Sequence, residues 1–247
     1  MTGNKSNETQ DVVGPSIPNH ACLTMNMSDR LRLIRFPEEI VCRVRTALDK
    51  GWVRGIQNER KYANSHEFKL YGNPWDGQGS EAISSRIAMM AVLSALYHQG
   101  WILVIAADIS KKMADKDSLI FRQSPAPTPC EFISLSFNTG DKLRLMGEDI
   151  APEILGTIRM VLGKTVQNEE WKIDHSAYEF KLYGRPWYAR SDIAVKTRVL
   201  LLDILDAMVA YGYDVYASVD LSTGKGERGR DTDSWFLKRA KVMPGHG

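Results

Sequence analysis

The chain has 247 residues, enough for one large domain or for two of about 100–150 residues each. Its 43% apolar and 25% charged residues are ordinary for a globular protein, and a formal net charge of +2 excludes a whole-molecule field that would advertise nucleic acid or membrane as a partner. Cys22, Cys42 and Cys130 are an odd set without C-x-x-C spacing, which argues against a disulfide framework and a structural zinc site.

Residues 1–20 are polar and broken by Gly14-Pro15 and Pro18-Asn19, so they are expected to form a disordered tail. They lack the apolar stretch of a signal peptide, and no later run reaches the roughly 18 apolar residues of a membrane span. The expected location is intracellular, cytoplasmic or nuclear.

From residue 21 onward one pattern runs through the chain twice. Its clearest mark is the nonapeptide at 67–75 (EFKLYGNPW), which returns at 179–187 (EFKLYGRPW) with a single change, 112 residues on. A match of that length means that the chain is two copies of one unit. Residues 21–25 and 133–137 alternate apolar and polar, as half-buried strands do. Polar turns at 26–29 and 138–141 lead to second alternating runs, 30–34 and 142–146, so each copy opens with a hairpin.

A helix is predicted next. Pro37 suits its first position, Glu38 and Glu39 suit its N-terminal dipole, and Ile40, Val44 and Leu48 recur every fourth residue. In the second copy Pro152 and Glu153 precede Ile154, Leu155, Ile158 and Leu162, which aligns the two prolines at an offset of 115. The segments 52–66 and 167–178 look dissimilar and read as a connection in which the copies have drifted. The nonapeptide then reads as a strand, with Phe68 and Leu70 on one face, ended by Gly72 and Pro74.

Residues from about 80 to 99 and their counterparts from Val195 to Val209 are apolar over most of a helical circumference, so a helix buried on more than one side is expected in each copy. Gly100 and Gly212 stand where a left-handed residue closes such a helix. Residues 101–110 are almost continuously apolar and read as a central strand. A polar loop, four residues longer in copy two, leads to last strands at 117–122 and 233–238.

The expected fold is α+β: two tandem β-β-α-β-α-β-β units, each a small sheet of about five strands with two helices on one face. The expected divisions are a tail at 1–20, a first unit at 21–124, a Pro-rich linker at 125–129, a second unit at 130–243 and a tail at 244–247. Residues 21–128 carry 15 Lys/Arg against 11 Asp/Glu, whereas residues 129–247 carry 16 against 17, so the two units present different surfaces.

Three constellations could carry function. Tyr71, Trp75, Tyr183 and Trp187 are the candidate protein-binding residues, because exposed Trp and Tyr concentrate binding energy. The competing role for Trp75 and Trp187 is a wedge at the strand-to-helix turn. Lys225, Arg228, Arg230, Lys238 and Arg239 form a candidate anion-binding hairpin, interleaved with glycines that would let backbone approach a phosphate. Asp108, Ser110, Asp117 and Ser118, matched by Asp220, Ser222, Asp233 and Ser234, offer the oxygens that Mg²⁺ or Ca²⁺ accepts, but they suit turn chemistry better; no metal or cofactor is predicted.

Arg86 and Arg198 share one place in the long helix, and Asp108 and Asp220 are their expected partners. The five histidines recur at no matched positions, and no H-E-x-x-H or G-x-S-x-G pattern exists. The reading is a non-enzymatic protein–protein interaction module whose partner the sequence does not identify. Nucleic-acid or other phosphate binding through the basic hairpin is the alternative, and an enzyme with its site between the units comes third.

Overall fold

The computed structural model describes residues 19–76, 80–109, 116–173, 175–221 and 233–241. The expected tails, apart from Asn19 and His20, and the hairpin-tip residues Lys225, Arg228 and Arg230 lie outside them.

The first unit comprises β1 (His20–Asn26), β2 (Arg30–Ile34), α1 (Glu38–Gly51), β3 (Ile56–Tyr62), β4 (Ser65–Leu70), α2 (Ser80–His98), β5 (Trp101–Ala107) and β6 (Ser118–Gln123). The second repeats this order as β7 (Cys130–Asn138), β8 (Lys142–Met146), α3 (Pro152–Leu162), β9 (Val166–Lys172), β10 (Ala177–Leu182), α4 (Ser191–Ala210), β11 (Asp214–Val219) and β12 (Ser234–Ala240). Each unit builds a six-stranded antiparallel sheet, in the order β3-β4-β2-β1-β6-β5 and, equivalently, β9-β10-β8-β7-β12-β11. The α+β class and the duplication are as expected from the sequence.

Three expectations change. Each sheet has six strands rather than five, because the connections at 52–66 and 167–178 contain β3 and β9. These are edge strands of largely polar and charged residues with no buried position, so they show no alternation. They are also related: Gln57-Asn58-Glu59 returns as Gln167-Asn168-Glu169, and in both copies the glutamate accepts from a helix arginine, Arg45 Nε–Glu59 Oε1 at 2.7 Å and Arg159 Nε–Glu169 Oε1 at 2.6 Å.

Secondly, the prolines are not equivalent. Pro37 and Ala151 are the two N-caps, and Pro152 is already inside its helix. The buried rows Ile40, Val41, Val44, Leu48 and Ile154, Leu155, Ile158, Leu162 then superpose, 114 residues apart. Thirdly, the apolar strand at 101–107 lies at a sheet edge and not at its centre, and Val104 and Ile105 are about half exposed.

The helices lie against one face of each sheet. Ile40, Val44 and Leu48 of α1 and Met89, Val92, Leu93 and Leu96 of α2 share a core with Leu23, Leu31, Phe68 and Phe121 of the first sheet. That core continues into the second unit through Cys130, Phe132, Val219 and Leu221. The reason is that α2 also packs, by its opposite side, on β7 and β8. The layer order is first sheet, α1/α2, second sheet, α3/α4, and the second sheet is covered on both faces.

Candidate protein interface

The nonapeptide is explained by the hairpin that it holds. In the first unit the Trp75 indole N–H donates to Arg30 O at 2.8 Å, its backbone N–H donates to Ser28 O at 3.0 Å, and Leu70 N–H donates to Asp29 O at 2.8 Å. The second unit repeats all three, with Trp187 Nε1 to Lys142 O at 3.0 Å, Trp187 N to Gly140 O at 3.1 Å and Leu182 N to Asp141 O at 2.7 Å. Gly72 and Gly184 take the left-handed φ of +79° and +73° that turns the chain into this latch. Trp75 is wholly buried and Trp187 is half-buried, so Trp75 is a corrected assignment: burial removes it from any recognition surface. Tyr71 and Tyr183 are 50% and 63% exposed.

The described basic residues of the candidate anion site are engaged by the protein. Lys238 Nζ lies 5.4 Å from the centre of the Tyr97 ring. Arg239 donates from Nε to Glu131 at 2.7 Å and from NH1 to Tyr211 O at 3.2 Å, and stacks on Tyr213. Tyr213 donates to the same Glu131, and burial together with that bond pushes its phenol well above the usual range. Glu131, Tyr211 and Arg239, with Gly212, Ala240 and Lys241, border an open groove of about 780 Å³. Its one guanidinium is held by a carboxylate. Among the described residues no group of three or more His, Cys, Asp or Glu is placed to hold a metal ion.

Of the Asp/Ser constellations, Ser110 and Ser222 lie outside the described residues; Asp117, Asp220 and Ser234 meet at the seam between the units. Asp117 Oδ2 accepts from Asp220 N–H at 2.9 Å, and burial, reinforced by the nearby Asp233 and Asp108, raises the Asp117 carboxyl against that bond. Arg86, 1% exposed, donates from Nε to Ser234 Oγ at 3.0 Å and from NH1 to Ala82 O at 3.2 Å. Around them Ile83 and Ile87 pack on Met146 and Ala177. Tyr97, Phe132 and Tyr216 form a triangle of edge-on rings 5.4–5.6 Å apart. Tyr216 OH accepts from the edge N–H of Leu103 at 2.9 Å, and His98 Nε2 accepts from Cys130 N–H at 3.0 Å.

The side of α2 that makes this seam is the stripe Ile83, Arg86, Ile87, Met90 and Tyr97, at the i, i+3, i+4, i+7 and i+14 positions of one helix face. Its counterparts on α4, each 112 residues on, are Val195, Arg198, Val199, Leu202 and Val209. All five are exposed, the four apolar ones by 50–64%. The expectation that both long helices are buried on more than one side therefore holds for α2 and fails for α4, over which no sheet lies among the described residues. Four apolar side chains of this size, each stabilised by about 1.5–3 kcal/mol on full burial, are a concentrated apolar surface. The sequence missed this face because both helices carry the same pattern, and only the layer order tells which is covered.

The opposite end of the molecule shows the other half of the seam. The outer face of the first sheet carries Thr24–Asn26 and Arg32–Glu67 contacts of 2.9 and 2.7 Å. These match Ser136–Asn138 and Arg144–Glu179, 2.8 and 2.6 Å, which lie buried under α2. Burial by itself would raise both glutamates, but Arg32, Arg60 and Arg30 outweigh it at Glu67, and Arg144 and Lys142 at Glu179, so both carboxyls lie below their ordinary value.

No helix among the described residues is long and apolar enough to cross a membrane. No curated protein matches the chain. A solved structure described as a conserved kinetoplastid-specific protein from Trypanosoma cruzi matches at 16% identity, over 44% of this chain and 95% of its own, with a TM-score of 0.32. A model of one domain family matches twice, over residues 19–122 and 131–238. The chain belongs to that domain family and carries its domain in duplicate.

Proposed function

We propose that the protein is a non-enzymatic binding module that docks the β-sheet face of a protein partner on the outer side of α4. The observation that carries this reading is the match, position by position, between the α4 row Val195, Arg198, Val199, Leu202 and Val209 and the α2 row that a sheet covers within the same chain. The α2 seam states what suits such a row: small and apolar side chains such as Ala177 and Met146, with a hydroxyl for the arginine. The exposed Tyr71 and Tyr183 are secondary contact candidates.

A photo-crosslinking amino acid placed at Leu202 of the full chain is expected to give discrete protein adducts in cells. The same probe at Val53, an exposed but isolated apolar residue, should give none. Equal labelling from both positions, or no adduct at Leu202, would overturn the reading. Phosphate-ligand binding through Lys225, Arg228 and Arg230 remains the second reading, supported only by their clustering with glycines in the sequence.

A further inference from the structure

We infer that the partner of the α4 face is a second copy of this chain, presenting the outer face of its first sheet, so that copies associate head to tail. This rests on the reading of α4 as a docking face and adds the identity of what docks. The chain already contains one such joint, between the α2 stripe and the outer face of the second sheet. The operation that carries the first unit onto the second, applied once more, lays another first sheet on α4. Both halves of that second joint are present at opposite ends of the layer stack, and their apolar side chains Val195, Val199, Leu202 and Val209 on α4 and Val104, Ile105 and Ile109 on the sheet side are exposed.

The correspondence extends to the sheet side. Tyr216 and Leu221, which close the seam, have Val104 and Ile109 as counterparts, and these are 54% and 71% exposed; Leu221 is 1% exposed. Ala217 is 4% exposed and its counterpart Ile105 is 48% exposed. Ser234, one of the acceptors of Arg86, corresponds to Ser118, which is 8% exposed in the single chain, so a bond from Arg198 would require the side chains over it to shift. Exposed β-branched residues on an edge strand are an aggregation liability unless something covers them, and here the covering surface is specified by the first joint.

Charge favours the same pairing. α4 carries Asp203 and Asp206 where α2 has Ala91 and Ser94. The outer first sheet carries Arg30, Arg32 and Arg60 around Glu67, and the exposed Arg122 lies opposite His20 at the other end of β1. Lys238 over Tyr97 in the existing joint becomes Arg122 over Val209, next to Asp206, in the new one. α4 nets −1, with Asp192, Asp203 and Asp206 against Lys196 and Arg198, and Arg30, Arg32, Arg60 and Arg122 net +3 with Glu67, a small difference that disfavours pairing of two sheets more than pairing of two α4 faces. A heterologous joint of this kind leaves one α4 face and one sheet face free after two copies have met, so association continues beyond the dimer.

Sedimentation velocity of the full chain over a range of concentrations tests this. The expected result is a weight-average mass that climbs past twice the 27.8 kDa of one chain without a plateau, and falls with added salt. A Val199→Asp/Leu202→Asp variant and a Val104→Asp/Ile109→Asp variant should each sediment as single chains with unchanged thermal unfolding, since all four positions are exposed. Mixed in equal amounts they retain one good α4 face and one good sheet face, and should form a complex of two chains and no larger. Wild-type protein that stays a single chain throughout overturns the inference, as does a dimer that survives Val104→Asp/Ile109→Asp or a mixture that fails to pair. If the wild type is a single chain while Leu202 still crosslinks to other proteins, the docking face stands and only its occupant is wrong.

Discussion

α2 and α4 are the same helix in two surroundings. Their inner faces do the same work: Met89, Val92, Leu93 and Leu96 fill the first core as Leu201, Ile204 and Met208 face the second. Their outer faces carry the same kind of residue but meet different things, a sheet in one case and solvent in the other. The sheets show the complementary contrast. β1 is buried on alternate residues only, whereas β7 is buried at eight of nine positions. The unit is thus built with two sticky faces, a helix stripe and a polar sheet, and one chain satisfies only one of each. A duplicated domain that stacked through any other surface would have no reason to keep both.

The sharpest way to break this comparison is to place one charge at equivalent positions. Ile83→Asp puts an unpaired carboxylate against Met146 and Ala177, and is expected to cost about 3–5 kcal/mol. Val195→Asp, on a residue 64% exposed, should change the stability of the single chain by no more than about 0.5 kcal/mol. Urea unfolding of the two variants measures the difference. Similar losses in both would mean that α4 is covered within the chain and that the layer order described here is wrong.

What the residues disclose on their own follows from the same contrast. Periodicity within a unit exposed the hairpins, the helices and the duplication, because each depends on a core that the unit builds for itself. The strands β3 and β9 were hidden, since an edge strand rich in Gln, Glu, Arg and Lys has no apolar alternation; only the Gln-Asn-Glu match between copies betrays them. The strand β5 misled, because a continuous apolar run ordinarily marks a central strand. Its outward residues belong instead to a face that in the second unit is covered. Trp75 was ambiguous for a related reason: a ring that latches a turn and a ring that binds a partner are equally retained on duplication, and only burial separates them. The seam itself was illegible, as it depends on which copy's helix meets which copy's sheet.

The two buried glutamates offer a second, smaller contrast, through pH. Glu67 and Glu179 lie below the ordinary carboxylate range when folded, so each binds its proton less tightly in the folded chain than in the unfolded one. Their stabilisation is complete above the unfolded pKa of about 4.3 and is lost as pH falls through the folded-state values. Glu179→Gln, under α2 with Arg144 at 7% side-chain exposure, should cost about 1.5–3 kcal/mol at pH 7. Glu67→Gln, whose three arginines keep access to water, should cost less. Unfolding free energies measured from pH 7 to pH 3 should fall for the wild type and fall less steeply for both variants. A larger loss for Glu67→Gln would show that its face is the more buried of the two.

Asp117 should respond in the opposite sense, and its effect is the smallest. Its carboxyl is raised by burial and by Asp233 and Asp108, so the folded chain holds that proton more tightly than the unfolded one. The contribution of this group to stability is therefore greatest below the unfolded pKa of about 3.9 and declines as pH rises through the folded-state value. Asp117→Asn keeps an oxygen to accept the Asp220 N–H at the seam and removes the ionisable charge. The variant should be more stable than the wild type at pH 7 by on the order of 0.5 kcal/mol, roughly 1–2 °C in Tm, with the advantage vanishing toward pH 3. The equivalent substitution Asp233→Asn, at an exposed residue whose carboxylate accepts from Ser218 at 2.8 Å, should show no such pH-dependent gain. An equal gain at both positions would mean that the acidic cluster, rather than burial at the seam, sets the Asp117 carboxyl, and would remove this difference between the covered and the uncovered ends of the unit.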